Sequence, residues 1–174
     1  MLWAIKNIFF KRDILLSILS AVILIFAFPQ FDCWFLAWFG LVPLMLALDG
    51  KSYRQSFGLS YLSGFIFFTG NLYWFVHVTK VGMFLMMLVL AVYYGLFGLV
   101  YRYFQKRNAV LKLILLPAGW VVIEFLRSRL FSGFDWVSLG HSQYKFLPII
   151  QIADITGVFG VSFLLVMTNY AFKL

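Results

Sequence analysis

The chain has 174 residues, 64% of them hydrophobic and 11% charged, and its mean hydropathy is +0.96 with 22 Phe, 6 Trp and 9 Tyr. That is more apolar surface than a soluble domain can hide, which excludes an ordinary water-soluble fold and points to an integral membrane protein. The net charge of +8 has the sign a nucleic-acid partner requires, but its distribution along the chain follows membrane sidedness instead.

The hydrocarbon core is roughly 30 Å thick and a helix rises about 1.5 Å per residue, so one crossing takes about 20 mostly apolar residues. Six segments are predicted in chain order: Ile14–Phe28, Cys33–Leu48, Phe57–Val78, Val81–Phe104, Leu111–Leu126 and Thr156–Phe172. At the start, "KRDILLSILSAVILIFAF" joins a basic flank to an apolar run, as a signal peptide does. No small-x-small cleavage site follows, and Asp32 stands where a lipid-modified cysteine needs a small residue before it. The first segment is therefore expected to be retained as a helix. It is short, as is the second, and only "PQFD" (Pro29–Asp32) separates them. A tight hairpin is predicted, turned by Pro29, which removes a backbone donor and fixes φ. Cys33 is the only cysteine, which excludes an internal disulfide and a cysteine-based metal cluster. A nucleophilic role needs a nearby base, and Asp32 works against the thiolate, so Cys33 is expected to be a small apolar filler at a helix start.

In the third segment Gly58, Ser60, Ser63, Gly64 and Gly70, and in the fourth Gly95 and Gly98, permit close approach between helices. The third ends in "GNLYWFVHVTK" (Gly70–Lys80), where Asn71, Trp74 and His77 are three apart and predicted to lie close to one face. Two readings fit that face: it hydrogen-bonds a lipid headgroup or ester carbonyl, or it is an aromatic belt with a polar residue at headgroup depth. His77 has no serine or acid at a spacing that orients it for catalysis.

The fifth segment runs into "EFLRSRLFSGFDW" (Glu124–Trp136), where Glu124, Arg127, Arg129 and Asp135 are interleaved with Phe125, Phe131, Phe134 and Trp136. Trp120, Glu124 and Arg127 share a helical face, and an ion pair between Glu124 and Arg127 is expected to offset the cost of a carboxylate near a membrane helix end. Either that pair simply neutralises itself while Arg129 snorkels to the phosphates, or Arg127, Arg129 and Lys145 form a cationic patch for lipid phosphate. In the second case Phe131, Phe134 and Trp136 lie against acyl chains.

With the N-terminus in the cytoplasm, the inner side receives Lys6, Lys11, Arg12, Lys51, Arg54, Arg102, Lys106, Arg107, Lys112 and Lys173, and the outer side keeps Lys80, Arg127, Arg129 and Lys145. Ten against four is the positive-inside bias, so the basic charge is topological and argues against a nucleic-acid role. No repeat, low-complexity tract or soluble linker interrupts the chain, and the longest polar gaps are Asp49–Gln55 and Gln105–Asn108. The predicted fold is all-α: a polytopic transmembrane helix bundle making a single domain over residues 1–174. A small transporter is disfavoured, because Pro43 and Pro117 do not interrupt spans in matched halves and no acidic residue sits clearly at mid-membrane.

"GWVVIEFLRSRLFSGFDWVSLGHSQYKFLPIIQIADITGVFGVSFLL" (Gly119–Leu165) resembles the membrane portion of apolipoprotein N-acyltransferase. The shared features are a Trp followed by Glu-x-x-Arg, a Thr/Ser-Gly-Phe-Pro-Trp loop, a Gly-Tyr-Ser-Gln element and a Gly-x-x-Gly-x-Ser-Phe helix start. Upstream, "FPQFDCWFLAWFGLVPLMLAL" is similar to the family's first hairpin and "GFIFFTGNLYWF" to its third helix, so the resemblance runs from about Ile14 onward. Asp135 stands where the family usually has proline and His141 where tyrosine is usual, and the loop around Gly82 is shorter, with one glycine in place of a pair.

The resemblance implies transfer of an acyl chain from a phospholipid to the α-amino group of a diacylglyceryl-cysteine lipoprotein, through a cysteine thioester and without a cofactor or metal, in the bacterial inner membrane. It also implies that a Glu-Lys-Cys triad does the chemistry in an outer nitrilase-like domain inserted before the last transmembrane helix. The sequence stops at "TNYAFKL", before that domain would begin, and Cys33 does not match the triad position. These residues alone are therefore expected to be inactive, as a piece of a split or truncated enzyme completed by a separately encoded nitrilase-like half. On this reading the bundle seats the phospholipid donor and the diacylated apolipoprotein. Its candidate lipid-binding residues are Asn71, Trp74, His77, Glu124, Arg127, Arg129, Phe134, Trp136, His141 and Gln143. The alternative is a non-catalytic lipid-binding or remnant membrane protein.

Overall fold

In hydrocarbon a single crossing must satisfy its backbone polar groups within itself, and only a helix does so. A computed structural model describes the backbone of residues 2–130 and 133–174, and the side chains within those ranges from Lys11 onward. The order is α1 (Leu2–Phe26), a 3₁₀ turn at Trp34–Trp38, α2 (Val42–Leu48), α3 (Tyr53–Asn71), a 3₁₀ turn at Tyr73–His77, α4 (Lys80–Phe104) and α5 (Ala109–Arg129). A third 3₁₀ turn at Leu139–Gln143 leads to α6 (Leu147–Ile150) and α7 (Ala153–Lys173). No strand occurs among the described residues. The helices α4, α5 and α7 are each long and apolar enough to cross a membrane, and Trp34–Leu48 is a shorter apolar stretch. The protein is an all-α membrane bundle.

Polar residues set the helix starts. Ser52 and Gln55 form a reciprocal capping box on α3, Thr79 caps α4 through the Gly82 amide, and Asn108 caps α5 through the Leu111 amide. Between α3 and α4 the approach is close: a Cβ added at Gly98 would lie 2.3 Å from the Ser56 carbonyl oxygen. Around that contact the core is aromatic, with Phe67 and Phe68 against Tyr94, and Trp120 edge-on to both Tyr94 and Phe97.

The first hairpin differs from expectation. Its first arm is not short, since α1 has 25 residues. Its second arm is broken, a five-residue 3₁₀ turn followed by a seven-residue α2 that Pro43 enters at its first turn, where no donor is needed. The break frees backbone groups, and side chains from distant helices take them. Asn169 of α7 accepts from the Leu41 amide at 2.7 Å and donates to the Ala37 carbonyl at 2.8 Å. Ser20 of α1 donates to the Gly40 carbonyl at 2.6 Å. Irregular backbone at membrane depth is tolerated only when buried in protein in this way.

Charges gather at two ends. At one, Asp13 pairs with Lys51, Asp49 pairs with Lys173 at 2.7 Å and accepts from the Tyr101 hydroxyl at 2.8 Å, and Arg102 donates to Gln105. The other end carries the loop between α5 and α7.

Candidate functional site

The last turns of α5 build the site. They hold Trp120, Glu124 and Arg127 on one buried face, as the i, i+4, i+7 spacing requires, with exposures of 4%, 5% and 3%. The expected Glu124–Arg127 ion pair does not form: the ion pairs among the described residues are Asp13–Lys51, Asp32–Lys145 and Asp49–Lys173. Each charge instead takes backbone groups of the loop that folds over it. The Arg127 guanidinium donates to the carbonyls of Phe134 at 2.8 Å and Trp136 at 2.7 Å, and to the Ser138 hydroxyl at 2.7 Å. Glu124 Oε1 accepts from the Leu139 amide at 2.7 Å. The reason is economy of buried polar groups. An irregular loop packed on a helix end brings unpaired acceptors and donors, a forked guanidinium serves several carbonyls at once, and a carboxylate serves an amide. Arg127 therefore acts here as a loop clamp, with its donors turned to protein acceptors rather than to the membrane surface.

The clamp holds a strained backbone. Val137, between two of the residues that Arg127 ties, has φ 54, a region that a β-branched residue rarely enters. Beyond it the 3₁₀ turn runs tight against α7: a Cβ on Gly140 would lie 2.5 Å from the Val158 carbonyl oxygen, and the Gly140 amide donates to Ser162 at 2.9 Å. Opposite, Gly157 (φ 65) kinks α7, so its regular part begins just after the kink.

Gln143 is fully buried. Its Oε1 accepts from Trp38 Nε1 at 3.0 Å, and its Nε2 donates to the Trp34 carbonyl at 2.9 Å. It joins the outer loop to the broken second arm. Next to it, Tyr144 and Lys145 both bond Asp32 in the hairpin turn. The hydrogen bond from Lys145, then that from Tyr144, holds the Asp32 carboxyl below its usual range. Lys145 thus engages an acid of the protein instead of standing as an open cation. His141 reaches the surface, yet the loop around it desolvates the ring and lowers its pKa, against the opposing charges of Asp135 and Glu124.

Asn71, Trp74 and His77 do not form one face. The α-helix stops at Asn71, which is buried and donates to the Phe67 carbonyl at 3.0 Å. The other two lie on the following 3₁₀ turn, exposed, where a spacing of three eclipses side chains. Trp74 meets Trp136 with ring centroids 5.3 Å apart, and Phe75 and Phe134 complete an aromatic cluster that joins this turn to the outer loop. Arg129 is exposed, its guanidinium over the Phe125 ring at 5.6 Å. Phe131 lies outside the described residues, as does the Lys6 side chain.

Two hollows flank this assembly. A groove of about 300 Å³ runs between α4 and the end of α5, walled by Leu85, Met86, Val89, Leu90, Leu130 and Phe134, with Tyr93 and Arg127 at its inner side. A second, of about 360 Å³, lies between the hairpin turn and the aromatic cluster, touching Phe28, Pro29, Gln30, Asn71, Trp74 and Trp136. Apolar clefts of this size with few polar groups suit hydrocarbon chains. Sequence reasoning did not single out Asp32, Trp34, Trp38, Ser138 or Tyr144 as parts of this arrangement. Asp32 offered a signal, being one of six acids in the chain and in a tight turn.

The family model described as apolipoprotein N-acyltransferase N-terminal domain matches residues 20–171. Relatives carrying the name apolipoprotein N-acyltransferase include that of Geobacter metallireducens, 41% identical over 91% of this chain and 32% of the relative. Others come from Pasteurella multocida, 33% identical over 85% of this chain and 30% of the relative, and Chlorobaculum tepidum, 32% identical over 91% and 31%. The chain spans about a third of the length of these curated relatives. Sharing the family's pattern across nearly all its length, the chain belongs to the apolipoprotein N-acyltransferase N-terminal domain family.

Proposed function

We propose that this chain is the lipid-seating membrane domain of an apolipoprotein N-acyltransferase, in a bacterial inner membrane with its N-terminus in the cytoplasm. Acyl transfer from a phospholipid to the amine of a diacylglyceryl-cysteine lipoprotein then takes place above the outer loops, on a nitrilase-like half carrying the Glu-Lys-Cys triad. The observation that carries this reading is the apolar groove between α4 and α5, roofed by a loop that Arg127 and Glu124 hold by its backbone. A hydrocarbon chain fits such a groove, and a fixed roof keeps its ester at one height relative to a catalytic domain, which positions the reacting carbonyl.

In this role Phe134 contacts the lipid in the groove, Trp74 and Trp136 contact it at the second hollow, His77 stands exposed on the adjoining turn, and Arg129 serves the phosphate. Asn71, Glu124, Arg127 and Gln143 act through the loop and turn geometry, and His141 faces the outer surface. The ten-to-four distribution of basic residues supports the orientation.

The test is to co-express the chain with a nitrilase-like half from the same family and assay N-acylation of a diacylated lipopeptide. Activity above that of the nitrilase-like half alone is expected. Equal activity would remove the lipid-seating role and leave a non-catalytic membrane protein.

A further inference from the structure

Three buried polar atoms near the end of α5 have no hydrogen-bond partner among the described residues: Tyr94 Oη, Trp120 Nε1 and Glu124 Oε2. All three belong to residues lining one cavity, closed further by Phe68, Tyr93, Ile123, Val137 and Arg127, the last with its guanidinium committed to the loop. Exposures of 5%, 4% and 5% keep these side chains from bulk solvent. Left unmet, each such atom carries the full cost of its desolvation, so three around one space is not a distribution that folding tolerates by chance.

We propose that this cavity is a binding site for one structural water molecule. The lining chemistry selects the ligand class. An indole N–H only donates, which disfavours a cation, and a carboxylate oxygen only accepts, which disfavours an anion. The occupant is therefore neutral and hydroxylic, accepting from Trp120 and Tyr94 and donating to Glu124 Oε2. Size then selects among hydroxylic ligands. The space open to a water-sized molecule is about 20 Å³, room for one water, whereas a lipid headgroup needs a cleft of hundreds of Å³. Three hydrogen bonds is the usual complement of a buried water.

The consequence reaches the outer loop. Glu124 uses one carboxyl oxygen for the Leu139 amide and the other for the water. The water thus links α4 through Tyr94, α5 through Trp120, and the loop through Glu124, and it orients the carboxyl that holds the loop. This inference does not depend on which lipid is bound, or on acyl transfer.

X-ray radiolytic footprinting of the full chain in nanodiscs, in ¹⁸O-water, tests it, because radicals formed from a bound water mark the side chains that touch it. Tyr94 and Trp120 are expected to incorporate ¹⁸O despite their burial, with Tyr94 well above Tyr101, a tyrosine outside the cavity that is 3% exposed against 5% for Tyr94. Tyr94→Phe keeps the ring and removes one water partner, so labelling of Trp120 should fall. Glu124→Leu should abolish it. Tyr94 labelled no more than Tyr101 would overturn the proposal, as would Trp120 labelling unchanged in Tyr94→Phe. The phenylalanine variant preserves the aromatic packing, so the test stands even where Glu124→Leu does not fold.

Discussion

At the scale of residues, the site rests on two opposite charges that each serve a loop rather than each other. Arg127→Met would leave the part-buried Phe134 and Trp136 carbonyls and the buried Ser138 hydroxyl without their donor, at a cost of about 1–3 kcal/mol. Thermal unfolding in detergent should show that loss, together with faster hydrogen exchange across residues 133–140. Arg127→Lys should recover only part of it, since an ammonium cannot reproduce the fork. Asp32 gives a prediction in pH. Its folded-state pKa is depressed by Lys145 and Tyr144, so the contact stabilises fully above the usual carboxylate value of about 4 and is lost as pH falls through the lowered one. Fluorescence of Trp34, stacked on Phe146 at 4.5 Å beside this latch, should stay constant down to about pH 4 and change below it. In Asp32→Asn that acid transition should vanish. The spacing of Trp120, Glu124 and Arg127 was legible as a shared face, but their partners were not, because those lie 7 to 15 residues further along the chain.

At the scale of elements, helix identity follows from apolar runs and polar caps, while breaks follow from what other helices offer. Residues 33–48 read as one apolar segment, yet the chain breaks between Trp38 and Val42 because Asn169 and Ser20 stand ready to take the freed groups. Replacing Asn169 by Leu, which fits a membrane helix by hydropathy, should cost about 1–3 kcal/mol by orphaning the Leu41 amide and Ala37 carbonyl. A lower unfolding temperature in detergent would register this, and an unchanged one would show that the break finds other partners. The end of α3 teaches the same lesson: Asn71 to His77 continues the apolar pattern, but the helix gives way to a 3₁₀ turn whose rings pack on the outer loop.

At the scale of the whole molecule, the basic residues sort to one end and the aromatic loops to the other. In a Cys33→Ser background, a membrane-impermeant thiol reagent should label Arg129→Cys in intact cells and Arg107→Cys only after permeabilisation. The opposite pattern would reverse the orientation and with it the lipid-seating proposal. Composition alone determined that the chain belongs in a membrane, that it is helical and roughly where its segments fall, because a bilayer imposes length and apolarity on every crossing independently of its neighbours. What only the tertiary structure decided is which polar group meets which: Arg127 with loop carbonyls, Glu124 with an amide, Asn169 with a broken helix. Those pairings are set by the cost of leaving any buried donor or acceptor unmet, and that cost is settled across the folded bundle, between residues that no local spacing connects.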